Sequence, residues 1–159
     1  MHNIEIFKEC ARINGLIENR NKAEARSLVI NLLDKLQREQ IEYTPLVNHL
    51  IREVGLYPYI DCSTALWEDQ VVVEAFKANV GEEKPVTLHS AQSRVLKRLL
   101  AGDNIAVSAP TSFGKSFIID AFIAIRKPEN VVIIVPTIAL ADETRRRIEH
   151  KFSRHYKII

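Results

Sequence analysis

Residues 109–116 read APTSFGKS, and this turn decides the fold of the C-terminal half of the chain. A short apolar run, Ile105–Val107, precedes it, a helical pattern over residues 115–126 follows, and a second apolar run, Val131–Val135, comes next. Strand, turn, helix and strand in this order form a βαβ unit, whose strands lie parallel and are buried on both faces. We therefore predict an α/β domain with its ligand at the carboxyl ends of the strands.

The turn differs from the phosphate loop G-x-x-x-x-G-K-[ST] only at its first residue. In such a loop successive backbone N–H groups converge on phosphates, and the start of the next helix adds a partial positive charge. Gly114 permits close approach, Lys115 supplies a charge for the β- and γ-phosphates, and the Ser116 hydroxyl can ligate Mg²⁺. The predicted phosphate site is Ala109, Pro110, Thr111, Ser112, Phe113, Gly114, Lys115 and Ser116. A small-residue turn that binds nothing is the alternative.

The N-terminal half has the pattern of a helical region. Apolar residues recur at helical spacing over residues 4–19 and 22–40, and a third helix is predicted over residues 45–54, between Thr44 as N-cap and Gly55 as stop. Ser63 or Thr64 can cap a fourth helix, although Val71–Val73 leaves a short strand open. A helix over residues 90–100 follows. We predict two domains, residues 1–82 and 83–159, with a four-helix packing in the first.

Composition and charge favour a soluble globular protein. Hydrophobic residues make up 47% and charged residues 26% of the chain, and no apolar run is long enough to span a bilayer. Residues 1–82 hold 9 Lys/Arg against 13 Asp/Glu, a net charge of −4, whereas residues 83–159 hold 13 against 7, a net charge of +6. The second part therefore suits anions, and solvated helix faces of unequal charge are the alternative. We expect a cytoplasmic protein without membrane partners, with Cys10 and Cys62 as reduced, buried thiols.

Three segments together resemble superfamily 2 helicases. Residues 109–116 match the A-P-T-x-x-G-K-[ST] form of the phosphate loop, Gln92 lies 23 residues before Lys115 like the family's upstream glutamine, and residues 136–141 resemble motif Ia. The resemblance covers about residues 86–159. It is strongest to Ski2-like DEAD/DEAH-box helicases and extends to the helicase subunit of Hachiman-type antiphage systems.

The resemblance implies the first part of a RecA-like domain with an incomplete parallel sheet, and ATP with Mg²⁺ as cofactors. It implies that Gln92 reads the adenine edge, although a polar residue on an exposed helix face is the alternative. It also implies that Pro136 and Thr137 contact the backbone of DNA or RNA. Many relatives have Arg where Ile138 stands here. The basic cluster at residues 145–147, with Lys151 and Arg154, is expected to be solvated or paired within the molecule. The alternative is that it replaces the missing phosphate contact.

Hydrolysis in this family uses an acidic motif II and a second RecA-like domain, which residues 1–159 do not contain. This chain is therefore expected to bind nucleotide without hydrolysing it. The resemblance implies that the parent protein is an ATP-dependent helicase with Lys115 and Ser116 in catalytic roles. The two apolar strands should expose edges and favour self-association. Two alternatives stay open: another class of P-loop NTPase, and a helical protein-interaction module attached to a P-loop domain.

Overall fold

The computed structural model describes residues 2–159 and divides them into two compact units. The helical unit comprises the residues up to Lys77 together with Thr87–Ala91. The phosphate-loop unit comprises Ala78–Val86 and Gln92–Ile159.

Four α-helices build the helical unit, and all four were predicted. They are α1 (His2–Glu18), α2 (Lys22–Arg38), α3 (Pro45–Glu53) and α4 (Trp67–Ala75), with a 3-10 turn at Tyr57–Tyr59 between the last two. Because α2 places an apolar residue on one face every three to four positions, that face is buried. The core is formed chiefly by Cys10, Ile13, Val29, Leu32, Leu36, Val47, Leu50, Ile51 and Leu56. Residues 71–73 are helical, so the strand alternative there is wrong.

The cap of α3 is confirmed, whereas the predicted cap of α4 is wrong. Thr44 Oγ1 accepts from the Val47 N–H at 3.4 Å, and Gly55 follows α3 with a positive φ of 73°. Helix α4 instead begins after Leu66, which offers no side-chain cap. Ser63 is engaged earlier, because its N–H and its hydroxyl both donate to the Asp61 carboxylate, at 3.0 and 2.6 Å. Local turn chemistry therefore outcompetes capping.

In the second half of the chain, helices were predicted correctly and strands were not. Helices α5 (Ser90–Leu100) and α6 (Lys115–Arg126) have the predicted bounds, and α7 (Ile138–Phe152) follows the motif Ia-like segment. The two strands of the structure, β1 (Lys77–Ala78) and β2 (Val86–Thr87), pair with each other. A connection of this length permits only antiparallel pairing.

The predicted strands Ile105–Val107 and Val131–Val135 are not strands within residues 2–159, so the predicted parallel sheet is absent from this part of the chain. A strand is defined by hydrogen bonds to a neighbouring strand, and an apolar run specifies burial preference but no partner. The expected exposure of apolar surface is confirmed, because Val132 and Ile134 are 85% and 90% exposed.

The two cysteines differ in exposure, and the helices differ from membrane-spanning helices. Both cysteines are free, but Cys62 is exposed and only Cys10 is buried, so the prediction of two buried thiols is half wrong. Cys62 lies in the Asp61 turn, outside the apolar faces that the helices bury. None of the described helices combines the length and apolarity that crossing a bilayer requires.

Candidate phosphate-binding site

The phosphate loop folds as a 3-10 turn that leads into a helix. Pro110 precedes the turn Thr111–Phe113, whose last N–H donates back to the Pro110 carbonyl at 3.1 Å. Gly114 then reverses the chain, and α6 begins at Lys115. The first N–H groups of a helix have no acceptor within the helix, so the start of α6 offers donors and a partial positive charge.

The backbone conformation at residue 114 favours glycine. Its φ of 76° and ψ of 38° lie in the left-handed region, which a residue with a Cβ rarely adopts. A Cβ at this position would also lie 2.6 Å from the Gln92 side-chain nitrogen. Gly114 therefore approaches its neighbours as closely as the sequence predicts.

Gln92 is buried against the loop. Its side chain is 6% exposed, and its Nε2 donates to the Phe113 carbonyl at 2.8 Å. The alternative of an exposed polar residue on a helix face is therefore wrong. The contact spans 21 residues of sequence and places the predicted adenine reader directly beside the phosphate loop.

Lys115 folds back over its own loop. Its Nζ donates to the carbonyl oxygens of Ala109 at 2.7 Å and Pro110 at 2.8 Å. These bonds hold the ammonium group above the turn. The sequence predicts that Lys115 binds phosphates. In the structure its ammonium group lies within the loop that a phosphate would enter.

The other loop residues are accessible in different degrees. Thr111, Ser112 and Ser116 are exposed, whereas Ala109 and Phe113 are partly buried. The chemistry of the donor set fits a phosphate group: a left-handed glycine, a helix start, a lysine ammonium and an exposed hydroxyl that can ligate a hard cation. A bound Mg²⁺–nucleotide would supply the γ-phosphate for transfer to water, and Lys115 and Ser116 are the residues that would hold it.

The motif Ia-like segment lies at the start of α7. Pro136 and Thr137 are both exposed, and Thr137 Oγ1 accepts from the Leu140 N–H at 3.2 Å, which makes it the N-cap. The hydroxyl can still donate outward. Ile138, the first residue of α7, is 86% exposed.

Most of the basic cluster on α7 is paired within the molecule, as expected. Arg145 lies 3.5 Å from Glu149 and 3.9 Å from Asp142. Arg147 pairs with Asp120, and Lys151 Nζ lies 3.0 Å from the second Asp120 oxygen. These cations are therefore not all available to an external phosphate.

Sequence reasoning missed Asp120 and Glu82, which together hold Lys151. Asp120 is 1% exposed, and Lys151 Nζ also lies 2.7 Å from Glu82. Burial lowers the pKa of Lys151, but hydrogen bonds and negative charge from Glu82 and Asp120 outweigh this effect and raise it above its ordinary value. The sequence feature that could have indicated Asp120 is its position as the one acidic residue in the mostly apolar helix sequence KSFIIDAFIAIR.

Two family models match separate parts of the chain. Residues 1–70 match the model described as Anti-bacteriophage protein B N-terminal domain. Residues 89–159 match the DEAD/DEAH box helicase model and include Gln92, the phosphate loop and α7. No solved structure gives a significant match to the chain.

Curated relatives agree with both matches. Anti-bacteriophage protein B from Escherichia coli (strain K12) is 35% identical over 156 residues, which is 96% of this chain and 21% of that protein. Reverse gyrase 2 from Aeropyrum pernix is 35% identical over 80 residues, 48% of this chain and 7% of that protein. The chain thus spans about a fifth or less of these relatives. Its C-terminal part carries a DEAD/DEAH box helicase-like segment, joined to a region similar to the N-terminal domain of Anti-bacteriophage protein B.

Proposed function

We propose that this chain is the ATP-binding part of a nucleic-acid-dependent ATPase of superfamily 2 helicase type that acts in antiphage defence. The observation that carries the proposal is the phosphate loop, where Gly114 adopts a left-handed conformation against Gln92 and Lys115 lies over the turn. The helicase-type match over residues 89–159 favours this class over other P-loop NTPases. A cytoplasmic location and the Ski2-like subtype belong to the same proposal.

The proposed domain division is residues 1–82 and residues 83–159. The similarity of residues 1–70 to Anti-bacteriophage protein B supports a defence role, and a relationship to the helicase subunit of Hachiman-type systems belongs to the same proposal. In the C-terminal domain, residues 109–116 hold the phosphates, Ser116 ligates Mg²⁺ and Gln92 reads adenine. Pro136 and Thr137 contact DNA or RNA.

A calorimetric titration with ATP and Mg²⁺ tests the nucleotide site. Lys115→Ala removes the charge-assisted contact and should weaken binding roughly ten- to hundred-fold, corresponding to about 1.5–3 kcal/mol. Lys84→Ala serves as a matched control, because Lys84 is exposed and lies outside the loop. Equal affinities for wild type and Lys115→Ala would remove the phosphate-loop assignment.

We further propose that residues 1–159 alone bind nucleotide without turnover. The acid on the same helix as Ser116 is Asp120, and it is already paired with Arg147 and Lys151. Phosphate release should therefore stay at background with Mg²⁺ and either DNA or RNA. Robust turnover that disappears in Lys115→Ala would contradict this part of the proposal.

A second candidate function is protein binding by the helical unit. On α4, Trp67 and Val71 are one turn apart and 70% and 55% exposed, and Leu66 beside them is 50% exposed. Exposed Glu68 borders this α4 patch (Leu66, Trp67 and Val71), within a region whose net charge is −4. The partner that fits is a helix with an apolar face flanked by basic residues, since Trp commonly anchors interfaces.

The single tryptophan of the chain is Trp67, so its fluorescence reports on the α4 patch directly. An amphipathic Leu/Lys helical peptide should shift the emission to shorter wavelength, and a Leu/Glu peptide of equal length should not. Val71→Asp should abolish the shift. Equal responses to both peptides would contradict the proposal, and a shift that depends on protein concentration alone would indicate a second copy as the occupant.

A further inference from the structure

Asp120 is a buried carboxylate at the centre of the phosphate-loop unit. It is 1% exposed and lies five residues after Lys115 on α6, about 7.5 Å along the helix axis. Its neighbours on the buried face of α6 are apolar: Ile118, Ala121 and Ile123. An acid in such surroundings needs partners, because an unpaired buried charge is strongly destabilising.

Both partners come from α7. Arg147 Nη1 bonds one carboxylate oxygen of Asp120, and Lys151 Nζ lies 3.0 Å from the other. Lys151 is itself nearly buried, with 8% of its side chain exposed, and its ammonium lies 5.5 Å from the centroid of the Phe117 ring on α6. Asp120, Arg147 and Lys151 therefore form a largely buried contact between α6 and α7.

This contact differs from the ion pairs that Arg145 makes on α7. Arg145, which is about half exposed, reaches only Asp142 and Glu149 on its own helix, at distances of 3.9 and 3.5 Å. Such exposed pairs within one helix contribute little energy. The Asp120 pairs span 27 and 31 residues and join separate elements in a buried setting, where separation of the charges is costly.

The two joined helices begin at the two candidate ligand sites. Helix α6 starts at Lys115 in the phosphate loop, and α7 starts after Thr137 in the motif Ia-like segment. The contacts of Asp120 with Arg147 and Lys151 join the two helices, so a ligand that displaces one helix would also strain these contacts. Two sites that share one packed element in this way can influence each other's affinity.

We propose that Asp120 is a positioning residue that couples nucleotide binding at the phosphate loop to nucleic-acid binding at Pro136–Thr137, through Arg147 and Lys151. This inference rests on the proposed function. Asp120 touches neither ligand, and its role is exerted through the two helices. The quantity that reports on it is the ratio of nucleotide affinities with and without nucleic acid.

The experiment measures the dissociation constant of a fluorescent ATP analogue with Mg²⁺, alone and with saturating 20-nucleotide oligo(dT) or oligo(U). For wild type the ratio should be at least about fivefold. In Asp120→Asn, which keeps the side-chain volume, the ratio should approach one while each ligand alone keeps its affinity within about threefold. Arg147→Met, which leaves Lys151 on Asp120, should lower the ratio as well. Arg145→Gln is the matched control on α7 and should keep the wild-type ratio.

The outcomes separate this inference from the proposed function. A wild type that binds both ligands without coupling overturns the inference and leaves the proposed function standing. Failure of the wild type to bind nucleotide overturns both. Folded Asp120→Asn and Arg147→Met variants that retain the wild-type ratio overturn the coupling role. If Asp120→Asn does not melt cooperatively, the affinity ratio of Arg147→Met tests the coupling role. If neither variant folds, Asp120 is only a stabilising residue and the inference is overturned.

Discussion

Three carbonyl oxygens of the phosphate loop accept hydrogen bonds from side chains. Lys115 donates to the carbonyl oxygens of Ala109 and Pro110, and Gln92 donates to the carbonyl oxygen of Phe113. A carbonyl oxygen carries partial negative charge and would repel a phosphate, so these bonds prepare the loop for an anion. At the residue scale, Lys115 and Gln92 therefore act on the loop itself, in addition to the ligand contacts proposed for them.

Substituting Gln92 should change base selectivity. Gln92→Ala removes the amide that could pair with adenine, and we expect the preference for ATP over GTP to narrow. Because the Phe113 carbonyl loses its donor, affinity for both nucleotides should also fall by a few-fold, consistent with the loss of about 0.5–1.5 kcal/mol. Competition titrations measure both effects. If GTP already competes equally with ATP in the wild type, Gln92 does not read the base.

Substituting Gly114 should damage the loop through backbone strain. Gly114→Ala forces a Cβ into a left-handed conformation and to within 2.6 Å of Gln92 Nε2. We expect a cost of about 1–2 kcal/mol, which corresponds to about five- to thirtyfold weaker ATP binding. Gly15→Ala is the matched control. Gly15 lies inside α1 with no atom within 4 Å of an added Cβ, and its replacement should stabilise the chain slightly. Unchanged ATP affinity in Gly114→Ala would refute the strain argument.

At the scale of elements, helix boundaries follow local signals wherever those signals are uncontested. Thr44 caps α3, and Gly102 with a φ of 93° follows α5 and its terminal turn. The cap of α4 failed because Asp61 holds Ser63, while Asn48 Nδ2 reaches Thr64 Oγ1 at 3.0 Å. Asn48 is completely buried on α3, so a tertiary contact decides where α4 begins.

The segment between β2 and α5 contains a pH-sensitive residue. His89 packs against Tyr59, with ring centroids 5.7 Å apart. Burial lowers its pKa, and the positive charge of Arg26 lowers it further, against a smaller opposing effect of a hydrogen bond with the Gly55 backbone. The folded state thus binds a proton less readily than the unfolded state.

This difference predicts that stability of the helical unit is full above the ordinary histidine pKa of 6.5 and falls as the pH drops below it. The loss is at most about 1.4 kcal/mol per pH unit. Urea unfolding followed by Trp67 fluorescence at pH 7.5 and 5.5 measures it. His89→Gln should remove most of the dependence, whereas His150→Gln, an exposed control, should keep it. Equal pH dependence in all three proteins would contradict the assignment to His89.

At the scale of the whole molecule, charge and apolar surface are unevenly distributed. Residues 1–82 carry a net charge of −4 and residues 83–159 carry +6. The C-terminal part also exposes Val132, Ile134 and Ile138 almost completely. Exposed apolar side chains in succession are typical of surfaces that associate.

We expect the isolated chain to self-associate through Val131–Val135. Light scattering should show an apparent mass that rises with concentration, and Val132→Lys combined with Ile134→Lys should return it towards 18.1 kDa. Asn130→Lys, an exposed polar position beside this segment, is the control for added charge and should still associate. A wild type that stays monomeric at every concentration would contradict the prediction.

The sequence by itself determined where the helices lie, apart from the start of α4, and the backbone conformation of the loop at Gly114. The bounds of α5 and α6 follow from residues within a few positions of each end, and the left-handed glycine and helix-start lysine follow from the loop motif. These features depend on backbone sterics and hydrogen bonds between near neighbours, which a short stretch of sequence specifies completely.

Only the tertiary structure decided which distant residues meet. Gln92 reaches Phe113 across 21 residues, and Asp120 holds Arg147 and Lys151 across 27 and 31. The apolar runs at residues 105–107 and 131–135 were misread as paired strands for the same reason. The type of a side chain indicates which kind of hydrogen-bond or ion-pair partner it needs. Which distant residue becomes that partner depends on how the helices and strands pack against each other.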